Sequence, residues 1–161
     1  MMRLLTGMLI LALAATGLAA SADAQKQRVP YYASIEASKA RMRTGPGREF
    51  PASWLYQRSG LPIRVIAVYK EWRKVEDPDG ASGWMQANLL SDTRTGYVMG
   101  SEAELLEKPQ FGAKLLWRAA PGVVGRISKC ARGWCWIDVR GRGGYVEANR
   151  LWGVDRDEVI G

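Results

Sequence analysis

Nucleophilic and acid–base chemistry has few candidate residues in this sequence of 161 residues. The sequence contains no histidine, and its two cysteines are Cys130 and Cys135. Catalytic serine and cysteine nucleophiles are usually activated by an imidazole base, so Ser-His and Cys-His arrangements are excluded. Metal-dependent peptidase sites that use histidine ligands are excluded for the same reason.

Carboxylate pairs are the remaining candidates for catalysis. The acidic clusters are Glu76, Asp77 and Asp79, and farther along the chain Asp155, Asp157 and Glu158. The first cluster falls in a predicted hairpin turn and the second in the C-terminal segment. A glycosidase pair needs two carboxyl groups held at a controlled separation in a cleft. We therefore interpret both clusters as solvated charge, and we predict that the protein is not an enzyme and binds no cofactor or metal.

The two cysteines lie in the segment KCARGWC, residues 129–135. A turn at Arg132-Gly133 would place Cys130 and Cys135 opposite each other on a hairpin, at a spacing that suits a disulfide. A metal site would need further ligands, and the spacing is not the Cys-x-x-Cys of a redox pair. We predict a structural disulfide between Cys130 and Cys135.

The aromatic residues are the candidates for ligand binding. The sequence has seven tryptophans, more than the cores of two small repeated modules would require. Packing of these tryptophans in the core or at its rim remains the alternative. Flat aromatic faces can stack on sugar rings or prolines, and arginines can pair with peptide carboxylates. The candidate ligand-binding residues are Arg43, Trp54, Tyr56, Trp72, Trp84, Trp117 and Trp136, with Arg58 and Arg118 as further possible carboxylate partners.

Charge and composition narrow the class of partner. The formal net charge of +7 favours anionic partners in the cell envelope. Residues 141–144 resemble an Arg-Gly-Gly tract of RNA-binding proteins, but their position between two predicted strands favours a hairpin turn. We therefore predict no nucleic-acid partner.

The N-terminal residues are typical of an export signal. A basic start is followed by an apolar run from Leu4 to Ala20 and by the small residues of Ala22-Asp23-Ala24. The alternative, a retained anchor, is less favoured because the run is shorter than the roughly 20 residues that span a bilayer. We predict a signal peptide at residues 1–24 and a periplasmic or secreted protein without an integral membrane span after cleavage.

An internal repeat defines the elements that position these residues. Residues 83–90 read GWMQANLL, and residues 144–151 read GYVEANRL. Upstream of them, WRKVE at 72–76 corresponds to WCWID at 134–138. Short strands separated by Gly/Pro turns predict an all-β fold of two small barrels. We place the first module at residues 33–92 and the second at residues 95–156.

Several motifs of the first copy resemble the bacterial SH3-like domain family in order and spacing. They are MRTGPG at 42–47, GLPI at 60–63, WRKV at 72–75, Asp79-Gly80 and Gly83-Trp84. The second copy resembles a cysteine-bearing variant in tandem proteins exported by proteobacteria, with Cys130, Trp134-Cys135 and LWGV at 151–154. The resemblance implies two five-stranded, partly open barrels.

The family resemblance also implies a binding function in the cell envelope. Such domains bind cell-wall or protein ligands and are often attached to a catalytic domain, of which this sequence shows no sign. We expect a non-catalytic module that recognises peptidoglycan, through its stem peptide or its glycan. An adaptor for an envelope protein and a structural spacer without a ligand groove are the alternatives.

Overall fold

The computed structural model describes residues 28–161, which form two antiparallel β-sheets of seven strands each. The predicted signal peptide, residues 1–24, lies outside the described residues. Within residues 28–161, no helix is long and apolar enough to cross a bilayer.

The first module comprises strands β1 to β7. Their bounds are β1 Tyr31–Ile35, β2 Ala40–Arg43, β3 Ala52–Tyr56, β4 Pro62–Tyr69, β5 Trp72–Glu76, β6 Ser82–Gln86 and β7 Leu90–Ser91. A single 3₁₀ turn, Ala87–Leu89, separates β6 from β7. The spatial order of the strands is β3-β2-β6-β5-β4-β1-β7.

The second module comprises strands β8 to β14. Their bounds are β8 Thr95–Val98, β9 Ala103–Leu106, β10 Leu115–Ala119, β11 Val124–Ala131, β12 Trp134–Val139, β13 Arg142–Glu147 and β14 Leu151–Trp152. A second 3₁₀ turn, Ala148–Arg150, separates β13 from β14. The spatial order, β10-β9-β13-β12-β11-β8-β14, repeats that of the first module strand for strand.

The predicted all-β fold in two modules is confirmed, but each sheet has seven strands where five were expected. The difference arises at the ends of each module. The entering strand pairs with a two-residue strand that leaves the module, as β1 does with β7 through Ile35 and Leu90. The same pairing joins β8 to β14 in the second module. These short ladders satisfy backbone groups next to the core that would otherwise be unpaired.

Each module has its own apolar core, built from the inward-facing residues of its strands. In the first module the most deeply buried side chains include Ile35, Ile63 and Met85. In the second module they include Leu105 and Ile137. Residues i and i+2 of a strand lie on the same face, so the apolar residues of each repeat point to one side of their sheet. The repeated sequence pattern therefore gives each module an equivalent core.

The glycine that opens each repeated motif permits a close crossing of strands. A Cβ atom on Gly83 would lie 2.6 Å from the Met42 side chain and 2.7 Å from the Arg43 carbonyl oxygen. A Cβ atom on Gly144 would lie 2.7 Å from the Cβ atom of Leu105, on the equivalent strand of the second module. Glycine at these positions therefore lets β6 approach β2 and β13 approach β9.

The predicted disulfide between Cys130 and Cys135 is confirmed. The two residues are directly paired on β11 and β12, with their Cα atoms 4.1 Å apart. The intervening turn is formed by Arg132 and Gly133, both of which have positive φ. Two positive φ values match the twist of a tight hairpin, which explains why the glycine stands at this position.

The two modules are packed against each other. Tyr97 and Val124 of the second module lie against the apolar core of the first. Arg58 of the first module donates a hydrogen bond of 2.8 Å to the carbonyl oxygen of Gly122 in the second. The packing brings the β3–β4 loop of one module next to the β10–β11 loop of the other.

Candidate functional site

A tryptophan stands at the same position in both modules and is exposed in both. Trp54 is the residue of β3 opposite Met42, and Trp117 is the residue of β10 opposite Leu105, the equivalent of Met42. The exposed fraction is 56% for Trp54 and 45% for Trp117. We call this pair the edge tryptophans, because β3 and β10 are the outermost strands of their sheets.

The position of β3 in its sheet explains the exposure of Trp54. An edge strand has a neighbouring strand on one side alone, so a side chain facing the core can still lie at the rim. Trp54 contacts Tyr56, with their ring centroids 6.4 Å apart. The larger part of the Trp54 surface is open to solvent and therefore accessible to a ligand.

Tyr56, also predicted to bind ligand, lies in the core of the first module with 6% of its surface exposed. Its hydroxyl donates a hydrogen bond of 2.8 Å to Oδ2 of Asp77, a carboxylate that is itself 5% exposed. Burial, and then the hydrogen bond to Asp77, raise the pKa of Tyr56. The Tyr56 ring therefore presents no open face for stacking.

Asp77 also organises the turn between β5 and β6. Its Oδ1 accepts hydrogen bonds from the backbone N–H groups of Asp79, at 3.0 Å, and Ala81, at 2.8 Å. Hydrogen bonds from backbone N–H groups to an aspartate side chain a few residues earlier are typical of Asx turns. Asp77 thus connects the predicted hairpin turn to the core through Tyr56, a role that differs from the solvated charge expected from the sequence.

The remaining candidates of the first module lie elsewhere on its sheet. Trp72, the first residue of β5, is 4% exposed and lines a cavity of about 280 Å³ together with Arg43. Trp84 on β6 is half-buried and pairs with Arg43 across the β2–β6 ladder. Arg43 is also half-buried, and its Nη1 donates a hydrogen bond of 2.7 Å to the carbonyl oxygen of Phe50.

Trp136 on β12 is the other candidate in the second module. It is half-buried and packs edge-on against Tyr145, with ring centroids 5.0 Å apart. A Cβ atom on Gly143 would lie 2.6 Å from the indole of Trp136, so the ring covers the neighbouring strand β13. These contacts hold Trp136 on the sheet surface, on a strand that is not adjacent to the strand of Trp117.

The seven candidate residues are thus not gathered into one groove. Five belong to the first module, and two of those five, Tyr56 and Trp72, are buried. Among the seven, the most exposed aromatic side chains are the edge tryptophans, one in each module, while the half-buried Trp136 lines a cleft of about 670 Å³ with Trp134 and Tyr145. The candidate site is therefore duplicated, as the chain itself is.

Another cleft, of about 570 Å³, brings together three residues predicted from the sequence, Trp117, Arg58 and Arg118, although the cleft itself was not predicted. Its cationic residues include Arg58 of the first module and Arg140 and Arg142 of the second. The guanidinium carbon of Arg142 lies 5.3 Å from the centre of the Trp117 ring, within the range of a cation–π contact. The cleft makes the surroundings of Trp117 more cationic than a single exposed indole would be.

One sequence signal could have indicated this cleft. Strand registers place Ala119 at the position of Tyr56, since each faces the first residue of its neighbouring strand, Ala103 or Ala40. A large aromatic residue in one copy and alanine in the other is visible when the repeats are aligned. The alignment alone does not show whether neighbouring side chains fill the space.

Comparison with known proteins gives a match to a family model. The model, described as bacterial SH3 domain, matches the chain twice, over residues 36–92 and 99–153. A search of curated proteins found no match. The two matched ranges together cover more than half of the chain.

Two solved structures from Trichomonas vaginalis are similar to the chain at 13% sequence identity. The NlpC1 structure has a TM-score of 0.37, with 90% of this chain and 50% of NlpC1 covered. The NlpC2 structure has a TM-score of 0.36, with 80% of this chain and 51% of NlpC2 covered. The chain thus spans about half the length of the solved structures that it matches.

Proposed function

The chain belongs to the bacterial SH3 domain family, and we propose that it is a non-catalytic binding protein of the cell envelope whose ligand is peptidoglycan. The observation that carries the proposal is the exposure of Trp54 and Trp117 at equivalent positions of the two modules. A large aromatic side chain contributes much to stability when buried, so its repeated exposure favours a binding role.

The chemistry of peptidoglycan suits these surfaces. Its sugar rings offer flat faces of C–H groups for an indole, and its stem peptides carry carboxylates for arginines. The net charge of +7 supports attraction to such an anionic polymer. Two modules in one chain can contact two positions on the same polymer, which strengthens attachment through a high effective concentration.

The non-catalytic part of the proposal rests on the available nucleophiles and bases. The sequence has no histidine, and both cysteines are joined in a disulfide. Neither an imidazole base nor a free thiol is therefore at hand for acyl transfer. Export to the periplasm or the medium is part of the same proposal, and the disulfide supports it because such bonds persist in oxidising compartments.

The test is co-sedimentation of the mature chain with purified peptidoglycan sacculi. We compare the wild type with Trp54→Ala, Trp117→Ala and the double variant, and use Tyr69→Ala as a matched control with 49% exposure. Each edge tryptophan should contribute about 1–2 kcal/mol, so each single variant should bind about 5- to 30-fold more weakly.

Salt separates specific binding from simple charge attraction. Salt does not screen stacking on an apolar face, so a higher salt concentration should weaken binding to the sacculi only in part. Complete loss of binding at moderate salt, with both tryptophan variants equal to the wild type, would contradict the proposal. Capture of one defined protein from envelope extract would then favour the adaptor, and retention of neither wall nor protein would favour the spacer.

A further inference from the structure

The cleft beside Trp117 includes the position at which the first module carries the large side chain of Tyr56. In the first module, the hydroxyl of Tyr56 lies 3.8 Å from the sulfur of Met42 and donates a hydrogen bond to Asp77. The side chain of Tyr56 therefore occupies the volume between Met42 and the start of the β5–β6 turn.

In the second module, smaller or apolar residues stand at these three positions. Ala119 replaces Tyr56, Leu105 replaces Met42, and Val139 replaces Asp77, as the strand registers show. All three of these residues line the cleft of about 570 Å³. At this point of the fold the cleft therefore has an apolar floor, which we call the hollow: Leu105 and Ala119 are 1% and 6% exposed, and Val139 is half-buried.

The rim of this hollow is cationic. Arg58, Arg140 and Arg142 line it, and none of them takes part in an ion pair among residues 28–161. Arg118, also at the rim, differs because Glu102 and Glu104 lie within 3.4 and 3.8 Å of its guanidinium nitrogens. Three guanidinium groups are therefore available to an anion without displacing a protein carboxylate.

Two contacts restrain the arginines before a ligand binds. Arg142 lies over the Trp117 ring, and Arg58 reaches from the first module to the Gly122 carbonyl oxygen. A guanidinium held by one contact keeps further N–H donors for another acceptor, since arginine carries five. The cleft therefore combines an apolar hollow with preoriented anion donors from both modules.

We propose that this cleft binds the carboxyl-terminal end of a peptide whose last residue is small and apolar. The terminal side chain occupies the space over Ala119 and Val139, and the free α-carboxylate is bound by Arg142 together with Arg58 or Arg140. A ligand that has charge alone leaves the hollow unfilled, and one that is apolar alone leaves the arginines without an acceptor, so the two features together favour a ligand that has both. This inference goes beyond the proposed function, because it concerns a site that the first module fills with its own side chain.

The test is calorimetric titration of the full mature chain with short peptides. The probes are acetyl-Lys-Ala-Ala with a free carboxylate, the same peptide as its C-terminal amide, and inorganic phosphate. We expect the acid to bind at least about tenfold more tightly than the amide, because the amide lacks the charge that the arginines recognise. Peptides ending in D-alanine and in L-alanine distinguish a stem peptide from a protein C-terminus as the natural source.

Three variants locate the binding in the cleft. Ala119→Tyr should abolish peptide binding by filling the hollow, and Ala119→Tyr with Val139→Asp restores the tyrosine–carboxylate pair of the first module if the single variant folds poorly. Arg142→Gln, a change at the rim, should weaken binding by about tenfold. The matched control is Arg48→Gln, an exposed arginine in the β2–β3 loop of the first module, which should bind as the wild type does.

The outcomes keep this inference separate from the proposed function. Equal affinity for acid and amide, or equal binding by phosphate, would overturn the cleft proposal, as would wild-type affinity in both Arg142→Gln and the filled variant. Sacculus binding that depends on Trp54 would survive each of these results. Conversely, specific binding of the peptide acid without any sacculus binding would support the cleft and contradict the peptidoglycan proposal.

Discussion

Replacing Tyr56 with phenylalanine tests how the first module is held together around Asp77. The substitution removes one hydroxyl and leaves the ring, so the buried apolar area stays almost unchanged. The lost interaction is the 2.8 Å hydrogen bond to Oδ2 of Asp77, in which both residues are more than nine-tenths buried. Because the acceptor is a buried carboxylate, we expect a loss of about 1.5–3 kcal/mol in the free energy of unfolding.

Urea denaturation followed by tryptophan fluorescence measures this loss, and a double-mutant cycle with Asp77→Ala assigns it to the pair. Asp77→Ala should cost more than Tyr56→Phe, since it also removes the hydrogen bonds to the N–H groups of Asp79 and Ala81. The double variant should be less destabilised than the sum of the single variants, by about the energy of the shared bond. A stability within about 0.5 kcal/mol of the wild type for Tyr56→Phe would refute this reasoning.

Alkaline pH gives an independent check on the same pair. The raised pKa of Tyr56 means that the fold favours the neutral phenol. Its contribution to stability is therefore complete below the ordinary tyrosine pKa of about 10 and is lost as the pH rises above that value. Wild-type stability should fall more steeply above pH 10 than that of Tyr56→Phe, and identical pH profiles would count against the pair.

Three further predictions concern the second module and its ends. Arg94 makes a bidentate ion pair with Glu158, and its hydrogen bonds lower the pKa of the Glu158 carboxyl. The free energy of unfolding should therefore fall as the pH drops below the ordinary glutamate pKa of about 4.3. Thermal melts at graded pH should show a smaller fall for Glu158→Gln than for the wild type. Reduction of the Cys130–Cys135 disulfide, or its replacement by serines, should cost about 2 kcal/mol in urea denaturation; an unchanged midpoint would argue against that contribution. Gly153→Ala should lower the free energy of unfolding by more than about 1 kcal/mol, because Gly153 has φ 114° and a Cβ atom would overlap a backbone carbonyl of β8. Wild-type stability of this variant in urea denaturation would contradict this account.

The repeat and its hairpins could be predicted from the sequence because local chemistry determines them. Turn residues with positive φ, such as Gly133, and the facing cysteines define the β11–β12 hairpin without knowledge of the rest of the fold. The paired motifs at 83–90 and 144–151 each form a strand followed by a 3₁₀ turn. Periodicity and turn chemistry act over a few residues, so they can be read from a single chain.

The division of the aromatic residues into open and buried could not be predicted in the same way. Trp54 and Tyr56 are two residues apart on one face of β3, yet one is 56% exposed and the other 6%. The difference depends on where the edge strand passes the end of the core, which is a long-range property. The cleft likewise depends on the absence of any neighbour large enough to fill the space left by Ala119, and only three-dimensional packing determines that.

The most direct test of the proposed function is a two-dimensional NMR titration of the mature chain with soluble peptidoglycan fragments, observing the indole N–H signals of its seven tryptophans. The proposal predicts that the signals of Trp54 and Trp117 shift in a saturable manner, while that of the buried Trp72 stays in place. Unchanged signals of both edge tryptophans at saturating fragment, or shifts confined to the other five indoles, would contradict it.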